Sequence, residues 1–283
     1  MQTWNTESVI DLLLECAETA RRIKTDPKIE LKNDRTPVSD ADKAVENLLT
    51  GRFGAENMLG EETFQNRDHN ELTDQLLHGR IWIVDPIDGT ANFINRRPTW
   101  GTTIGYAENG MILRGGIYLP ELGQIMITDD DGKTLFSDAG HPYPSIAELK
   151  ENMAPARHPA RTFNETSCIN LSQKFTKYGR FTGPNPVIAV GSCICSGMDL
   201  LLGRDAVYMT HAKLWDMAGM IPCLANLGFY AAGRSGLSVL SCRITPELFQ
   251  LEPDAETPFA LRETQWIGVS HEAVETVMPL CQL

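Results

Sequence analysis

The sequence of 283 residues predicts a mixed α/β (α+β) fold, and three observations support that prediction. The N-terminal part contains two amphipathic helical patterns. The middle contains short apolar segments separated by turns, and the remainder alternates between strand and helix patterns. Such an order predicts β-sheets covered by helices. The length suits one unit over residues 1–283, with an N-terminal lobe of about 1–140 and a C-terminal lobe of about 165–283.

Two helices are predicted first along the chain. Residues 8–23 place apolar side chains at helical spacing, and either Thr6 or Ser8 can cap the start of this helix. After an irregular stretch, Ser39 can cap a second helix that continues to about Leu49. Both helices have one apolar face, which we expect to point inward.

Short strands are predicted in the middle of the chain. Apolar runs bounded by turn signals predict strands at residues 57–60, 81–84, 102–107, 111–118 and 124–128. Tight turns join the last three, which indicates an antiparallel meander. The acidic segment 129–132 is predicted to be a hairpin turn, because a calcium loop ending on Gly132 would need an Asp at Ile127. The polar residues 63–78 are predicted to form a flap.

The C-terminal part alternates after a linker at residues 141–164, which is rich in Pro and Ala. The predicted helices cover residues 165–177, 192–202 and 215–227, and the predicted strands cover residues 187–190, 206–209 and 266–269. Alternation of this kind predicts a mostly parallel sheet covered by helices.

Composition and charge limit the possible classes of function. The balance of 25 basic and 37 acidic residues gives a net charge of −12. A chain this acidic repels nucleic acid and anionic membranes, so we expect neither as a partner. If the substrate is anionic, its site must contain groups that cancel this negative charge, and bound divalent cations are the natural candidate. Seven cysteines without a C-x-x-C pair, and a start without a signal peptide, indicate a cytoplasmic protein.

The most informative segment runs from Trp82 to Phe93 and reads WIVDPIDGTANF. A buried strand is predicted to end at Asp85, and Pro86 then turns the chain, so Asp85 and Asp88 project from one strand end. Two apposed buried carboxylates are costly without a cation. Because no His or Cys ligands accompany them, the pair indicates Mg²⁺ rather than zinc. An Asx-type turn around Pro86 is the alternative interpretation.

Further candidate residues flank this segment. The run Gly89-Thr90-Ala91 begins a predicted short helix, whose free N–H groups suit a phosphate. Glu61 and Glu62 follow the preceding strand, which brings another carboxylate to a neighbouring strand end. Asp216 begins an apolar helix, where an ordinary first-turn role is the alternative to metal binding.

These motifs resemble those of the inositol monophosphatase family of Mg²⁺-dependent, Li⁺-sensitive phosphatases. The matching pieces are Gly60-Glu61-Glu62, residues 85–93 and residues 215–219, and their order and spacing agree over nearly the whole chain. The resemblance implies a layered αβαβα sandwich of the inositol monophosphatase and fructose-1,6-bisphosphatase type, commonly as a homodimer. It also implies a phosphomonoesterase that acts on a small phosphorylated metabolite, by in-line attack of a water activated by two or three Mg²⁺ ions.

The resemblance implies roles for individual residues. The implied metal ligands are Glu61, Asp85, the carbonyl of Ile87, Asp88 and Asp216. The implied catalytic residues, which orient and activate the water, are Asp42, Thr90 and Glu61. The implied substrate and phosphate contacts are Gly89, Thr90, Ala91, Gly191, Ser192 and Lys32. Gly191 as a simple helix start and Lys32 as a solvated loop lysine are the alternatives.

The sequence departs from the family where the alcohol half of the substrate binds. In inositol phosphatases an acidic residue seven positions before the motif aspartate contacts the substrate hydroxyls, and here that position is Met209. A thioether is a weak hydrogen-bond acceptor, so esters other than inositol monophosphate stay open. These are histidinol phosphate, fructose 1,6-bisphosphate and 3′-phosphoadenosine 5′-phosphate. A non-catalytic regulatory protein that binds metal and phosphate is the alternative from another class.

Overall fold

The computed structural model describes residues 3–32 and 35–282 and contains two large β-sheets. The N-terminal and central strands form a seven-stranded sheet, and the C-terminal strands form a five-stranded sheet. Helices pack outside and between them, so the architecture is the layered αβαβα sandwich that the family resemblance implies. Within the described residues, no helix is long and apolar enough to cross a bilayer.

Two N-terminal helices pack against each other and against the seven-stranded sheet. They are α1 (Thr6–Ile23) and α2 (Asp40–Phe53), with a hairpin of β1 (Ile29–Leu31) and β2 (Pro37–Ser39) between them. The cap of α1 is Asn5, whose side chain accepts a hydrogen bond from the Ser8 N–H at 3.0 Å, so the prediction of Thr6 or Ser8 is wrong. Ser39 caps α2 as predicted, and the helix continues past its predicted end.

The seven-stranded sheet contains the predicted antiparallel meander. Its strands, in spatial order, are β3 (Met58–Gly60), β4 (Arg80–Asp88), β5 (Gly101–Glu108), β6 (Met111–Leu119), β7 (Gln124–Thr128), β8 (Thr134–Asp138) and β9 (Ala154–Pro155). Only the β3–β4 pair is parallel among these pairings. Strand β4 does not end at Asp85 as predicted. It continues to Asp88, and its pairing with β5 shifts in register between Asp85 and Asp88. Pro86 lies in this interval and has no N–H to donate to the neighbouring strand.

Two segments without a clear sequence pattern contain regular structure. The predicted flap holds helix α3 (His69–His78), which Asp68 caps by accepting a hydrogen bond from the Glu71 N–H at 3.0 Å. Its apolar face consists of Leu72 and Leu76, too few residues to show a helical period in the sequence. The predicted linker holds helix α5 (Ile146–Glu151) and strand β9, and so extends the large sheet. Between them, α4 (Thr90–Ile94) follows β4.

The five-stranded sheet is mixed rather than mostly parallel, so that prediction is wrong. Its strands, in spatial order, are β12 (Val187–Ile188), β10 (Cys168–Asn170), β13 (Asp205–Thr210), β15 (Gln265–Gly268) and β14 (Tyr230–Ala232). Strand β10 pairs in parallel with β12 and β13, whereas β15 pairs antiparallel with β13 and β14. The long segment from β14 to β15 contains no α-helix, and a parallel crossover usually needs one. Strands β11 (Arg180–Phe181) and β16 (Cys281–Gln282) form a separate pair.

The C-terminal helices correct two predicted elements. They are α6 (Gln173–Tyr178), α7 (Cys193–Leu201), α8 (Leu214–Met217), α9 (Ile221–Leu227) and α10 (His271–Val277). The first part of the predicted helix 165–177 is strand β10, and only its end is helical. The predicted helix 215–227 is broken into α8 and α9 near Gly219. A Cβ at Gly219 would lie 2.2 Å from Thr103 Oγ1, so this backbone lies directly on β5.

The seven-stranded sheet has an apolar core on both faces. Trp82 and Val84 belong to the cluster that includes α1 and α2, whereas Ile81 and Ile83 belong to the cluster that includes α7, α8 and α9. Alternate residues of a strand point to opposite faces, which explains this division. Strand β4 is therefore packed on both faces, and this packing fixes the position of the acidic residues at its C-terminal end.

Candidate active site

Acidic residues from three elements converge at the C-terminal ends of β3 and β4. Glu61 directly follows β3, and Asp85 and Asp88 belong to the last part of β4. The two strands are parallel, and their register pairs the last residue of β3 with the residue before Asp85. Helix α8, which packs on β4 and β5, contributes Asp216. The motif residues predicted from the sequence therefore meet at one place.

Glu61, Asp85 and Asp216 form a carboxylate cluster, in which one oxygen of each lies within 4.8 Å of the others. Burial, and then repulsion from Glu61 and the neighbouring aspartates, raises the pKa of Asp85 well above its ordinary value. The same causes raise the pKa of Asp216 to about 8. Carboxylates this close must share protons or a cation, and an oxygen-only set suits a hard divalent ion. The cluster therefore fits a Mg²⁺ site.

Asp88 lies beside the carboxylate cluster, but its own carboxylate is bound by the start of α7. It accepts hydrogen bonds from the Ser192 hydroxyl and from the N–H groups of Cys193 and Ile194, the latter two at 3.1 Å each. Burial raises the pKa of Asp88 to about 6, although these hydrogen bonds oppose the rise. Asp88 thus lies at the same strand end as Asp85, as the sequence predicts, but outside the cluster of Glu61, Asp85 and Asp216, and α7 fixes its orientation.

The bulge in β4 fixes the backbone around the predicted carbonyl ligand. The Ile87 N–H donates to Asp85 Oδ1 at 3.0 Å, and the Ile87 carbonyl oxygen lies 3.1 Å from the Thr90 hydroxyl oxygen, farther than the Asp42 carboxylate to which that hydroxyl donates. The first of these is an Asx-type turn around Pro86. The Asx-type turn and the carboxylate cluster are therefore both present, so the two interpretations of Asp85 do not exclude each other.

Asp42 and Thr90 are joined by a hydrogen bond. The Thr90 hydroxyl donates to Asp42 Oδ1 at 2.8 Å, while Asp42 Oδ2 accepts from the N–H and the hydroxyl of Ser39 at 2.8 and 2.6 Å. Burial raises the pKa of Asp42, and the bonds from Ser39 and Thr90 oppose this. Asp42 is fully buried, whereas Thr90 lines the cleft over the cluster. Thr90 is therefore the member of the pair that can reach a bound molecule.

Lys32 contacts both glutamates that follow β3. Its Nζ lies 2.9 Å from Glu61 Oε1 and 2.6 Å from Glu62 Oε1. Burial disfavours its charge, but Glu61 and Glu62 raise the pKa of Lys32 above its usual range. Burial and repulsion from Glu61 raise the pKa of Glu62 to about 7. Lys32 is thus not a solvated loop lysine, and it lines a neighbouring cavity rather than the main cleft.

A cleft of about 430 Å³ opens over the carboxylates. The predicted phosphate contacts that line it are Gly89, Thr90, Ala91, Gly191 and Ser192. The backbone of Gly191 has a φ of 78°, and a Cβ there would lie 2.3 Å from Gln173 Nε2. The positive φ therefore favours a glycine at position 191, in the cleft wall directly before α7.

Met209 does not line the cleft. Because side chains alternate along β13, Tyr208 and Thr210 line the cleft while Met209 lines a separate cavity. His211 and Lys174 also line the cleft. The sequence does not indicate these four cleft residues, because no motif marks the face of β13 and because the local pattern predicts a longer helix over the segment that contains Lys174.

Comparisons with known proteins agree with this arrangement. Residues 6–248 match the model of the Inositol monophosphatase family. A histidinol-phosphatase of Chlorobaculum parvum is 33% identical over 230 residues, which cover 77% of this chain and 83% of that protein. Inositol monophosphatase 3 of Solanum lycopersicum is 33% identical over 251 residues, which cover 83% and 89%. The solved IMPase of Thermotoga maritima superposes with a TM-score of 0.68 over 97% of this chain and 96% of that chain, at 17% identity, and so shares the fold.

Proposed function

Because this chain belongs to the inositol monophosphatase family, we propose that it is a Mg²⁺-dependent phosphomonoesterase for a small phosphorylated metabolite. The observation that supports this most is that the Thr90–Asp42 pair and the carboxylate cluster border the same cleft. Hydrolysis of a phosphate ester needs an oriented water and neutralisation of the phosphate charge. The Thr90–Asp42 pair can orient the water, and divalent cations held by the carboxylate cluster would neutralise the charge.

Two or three Mg²⁺ ions would be held by Glu61, Asp85, the Ile87 carbonyl, Asp88 and Asp216. Two observations support this assignment. The donor atoms are all oxygens, and the carboxylates of the cluster lie so close that the pKa values of Asp85 and Asp216 are raised. When bound, Mg²⁺ would lower the pKa of water and compensate charge on the phosphate. Lys32 neutralises part of the charge of Glu61 and Glu62, and its predicted contact with phosphate stays a proposal.

Thr90 would orient the attacking water. Its hydroxyl proton is directed to Asp42, so the oxygen lone pairs are available to accept a hydrogen bond from a water in the cleft. Asp42 is fully buried and would act through Thr90, by fixing the direction of this hydroxyl. Glu61, at the edge of the same cleft, would assist as a proton acceptor.

The phosphate would lie against the start of α4 and the Gly191–Ser192 turn. The N–H groups of Thr90 and Ala91 begin α4 and have no partner within the helix. Gly89, with a φ of 87°, turns the chain from β4 into this helix. No covalent phosphoenzyme is required by this arrangement.

For the alcohol half of the substrate we propose an inositol monophosphate-like ester. The alternatives with the same chemistry are histidinol phosphate, fructose 1,6-bisphosphate and 3′-phosphoadenosine 5′-phosphate. Tyr208, Thr210, His211 and Lys174 offer hydrogen-bond donors in the cleft, so a polar alcohol suits it. From the family we also propose inhibition by Li⁺ and a homodimer, and the seven free cysteines support a cytoplasmic location.

The experiment that tests this function measures phosphate release from all four esters while Mg²⁺ is titrated. We expect Mg²⁺-dependent release from at least one ester, and Asp85→Asn should lower it at least about 100-fold, as expected when electrostatic stabilisation is lost. Asp131→Asn, which changes an exposed carboxylate in the β7–β8 turn, serves as the matched control. No release from any ester, with Mg²⁺ still raising the melting temperature, would favour the non-catalytic binding protein.

A further inference from the structure

Helix α2 brings a second buried carboxylate to the site, one turn after Asp42. Glu46 is 1% exposed, and a glutamate is almost never buried without partners. Residues four apart lie on the same face of a helix, so Asp42 and Glu46 point in similar directions. The proposed mechanism uses Asp42, but it assigns no role to Glu46.

The carboxylate of Glu46 binds the chain directly after Glu61. Its Oε2 accepts a hydrogen bond from the Glu62 N–H at 2.8 Å, and its Oε1 accepts one from the Thr63 hydroxyl. Both donors belong to the turn that leaves β3. The backbone on the C-terminal side of Glu61 is therefore fixed by one buried side chain.

The backbone before Glu61 touches the same carboxylate. A Cβ added at Gly60 would lie 2.2 Å from Glu46 Oε1, so this position requires a glycine for the carboxylate to fit. Glu46 thus contacts the chain on both sides of Glu61 while leaving the Glu61 side chain free. That side chain points to Asp85, Asp216 and Lys32 instead.

We propose that Glu46 is a positioning residue, which holds the turn Gly60–Thr63 so that Glu61 faces Asp85 and Asp216, and thereby sets the affinity of the cluster for divalent cations. This proposal rests on the proposed function only in that the cluster must bind a cation. Groups that orient metal ligands without touching the metal commonly change metal affinity about 10- to 100-fold when they are replaced.

The test is calorimetric titration of the full chain with Mn²⁺. Glu46→Gln keeps the size of the side chain, but one of its two acceptor oxygens becomes an NH₂ group, so one of the two hydrogen bonds is lost as it stands. We expect the Kd for Mn²⁺ to rise about 10-fold or more. Thr63→Val removes one of the same bonds from the other side and should weaken binding in the same direction. Glu151→Gln makes the same chemical change at an exposed glutamate that ends α5, so it is the matched control and should bind Mn²⁺ as the wild type does.

A second readout separates positioning from general destabilisation. Phosphate release by Glu46→Gln should be restored by raising the Mg²⁺ concentration, whereas release by Asp42→Asn should stay low at every Mg²⁺ concentration. If the Glu46→Gln protein folds and binds Mn²⁺ with the same Kd as the wild type, the proposal is overturned. If that variant does not fold, Thr63→Val decides in the same way. A wild-type protein that binds no Mn²⁺ would instead refute the metal site of the proposed function itself.

Discussion

Thr90 connects a buried acid to the cleft. Asp42 has both oxygens occupied by Ser39 and Thr90, so it cannot contact a substrate directly. The carboxylate of Asp88 likewise accepts hydrogen bonds from the first N–H groups of α7. Asp85 and Asp216 instead lie next to Glu61 in the carboxylate cluster. The acidic residues of this site therefore differ in what they can do, and their hydrogen-bond partners set the difference.

At the scale of single residues, Thr90 gives the sharpest prediction for activity. Thr90→Val keeps the shape of the side chain but removes the hydroxyl, so the water loses its oriented acceptor. We expect kcat for phosphate release to fall about 10²- to 10⁴-fold, the usual range for a lost acid–base group. Thr90→Ser keeps the hydroxyl and is the matched control, with most of the activity retained. Equal rates for the valine and serine variants would contradict the role of Thr90.

The sequence predicts which acidic residues meet, but not how each is oriented. Asp85, Asp88 and Asp216 lie in recognisable sequence motifs. Strands β3 and β4 are parallel, so their C-terminal ends bring Glu61 next to Asp85. The binding of Asp88 by α7 depends on packing between distant elements. No local pattern shows such a contact, so it could be found only from the structure.

At the scale of elements, the break between α8 and α9 positions Asp216 against the sheet. The Gly219 N–H donates to Thr103 Oγ1 at 3.1 Å, which ties the break to β5. Helical periodicity continues through residues 215–227, so the sequence predicts one helix there. The close approach to β5 is a tertiary constraint, and it overrides the local pattern.

Gly219 provides the test of this packing. In Gly219→Ala, the new Cβ would lie 2.2 Å from Thr103 Oγ1 and 2.5 Å from the Gly116 carbonyl oxygen. We expect the free energy of unfolding to fall by about 1–3 kcal/mol, as for other overpacked cores. Gly51→Ala in α2 is the control, because a Cβ there meets no atom within 4 Å. It should raise helix stability by roughly 0.5–1 kcal/mol. Urea unfolding of both variants measures the difference, and equal effects would contradict the packing argument.

The other elements also show that long local patterns predict an element well, whereas short elements depend on tertiary contacts. Segments with long periodic patterns, such as α1 and the meander β5–β7, are predicted with nearly their observed bounds. Short elements such as β10 and β14 have only three residues each, and their pairing partners lie far away in the sequence. Their existence depends on sheet contacts rather than on local propensity.

At the scale of the whole molecule, the acidic residues gathered at the site make the free energy of unfolding depend on pH and on bound metal. The pKa of Asp88 is raised to about 6 and that of Asp216 to about 8, from an ordinary value near 3.8. Without metal, the folded protein keeps these protons at pH values where the unfolded chain has released them. Their contribution to stability is therefore complete below about pH 4 and is lost as the pH rises towards 8.

We expect the melting temperature in EDTA to fall as the pH rises from 5.5 to 8.5. Mg²⁺ binds the ionised carboxylates, so the increase in melting temperature on adding Mg²⁺ should grow over the same range. Asp216→Asn is the control, because it removes the group that titrates near pH 8, and its slope should be smaller. A metal-free melting temperature that rises with pH in this range would contradict the assignment.

The most direct test of the account is to locate a bound metal in crystals of the protein grown with Mn²⁺. An anomalous difference map should show a peak bonded to carboxylate oxygens of Glu61, Asp85 and Asp216, at about 2.1 Å as for a small hard cation. That result would establish the carboxylate cluster as the metal centre next to the Thr90–Asp42 pair. A crystal grown with saturating Mn²⁺ that shows no peak at the cluster, or its strongest peak elsewhere, would contradict the central claim.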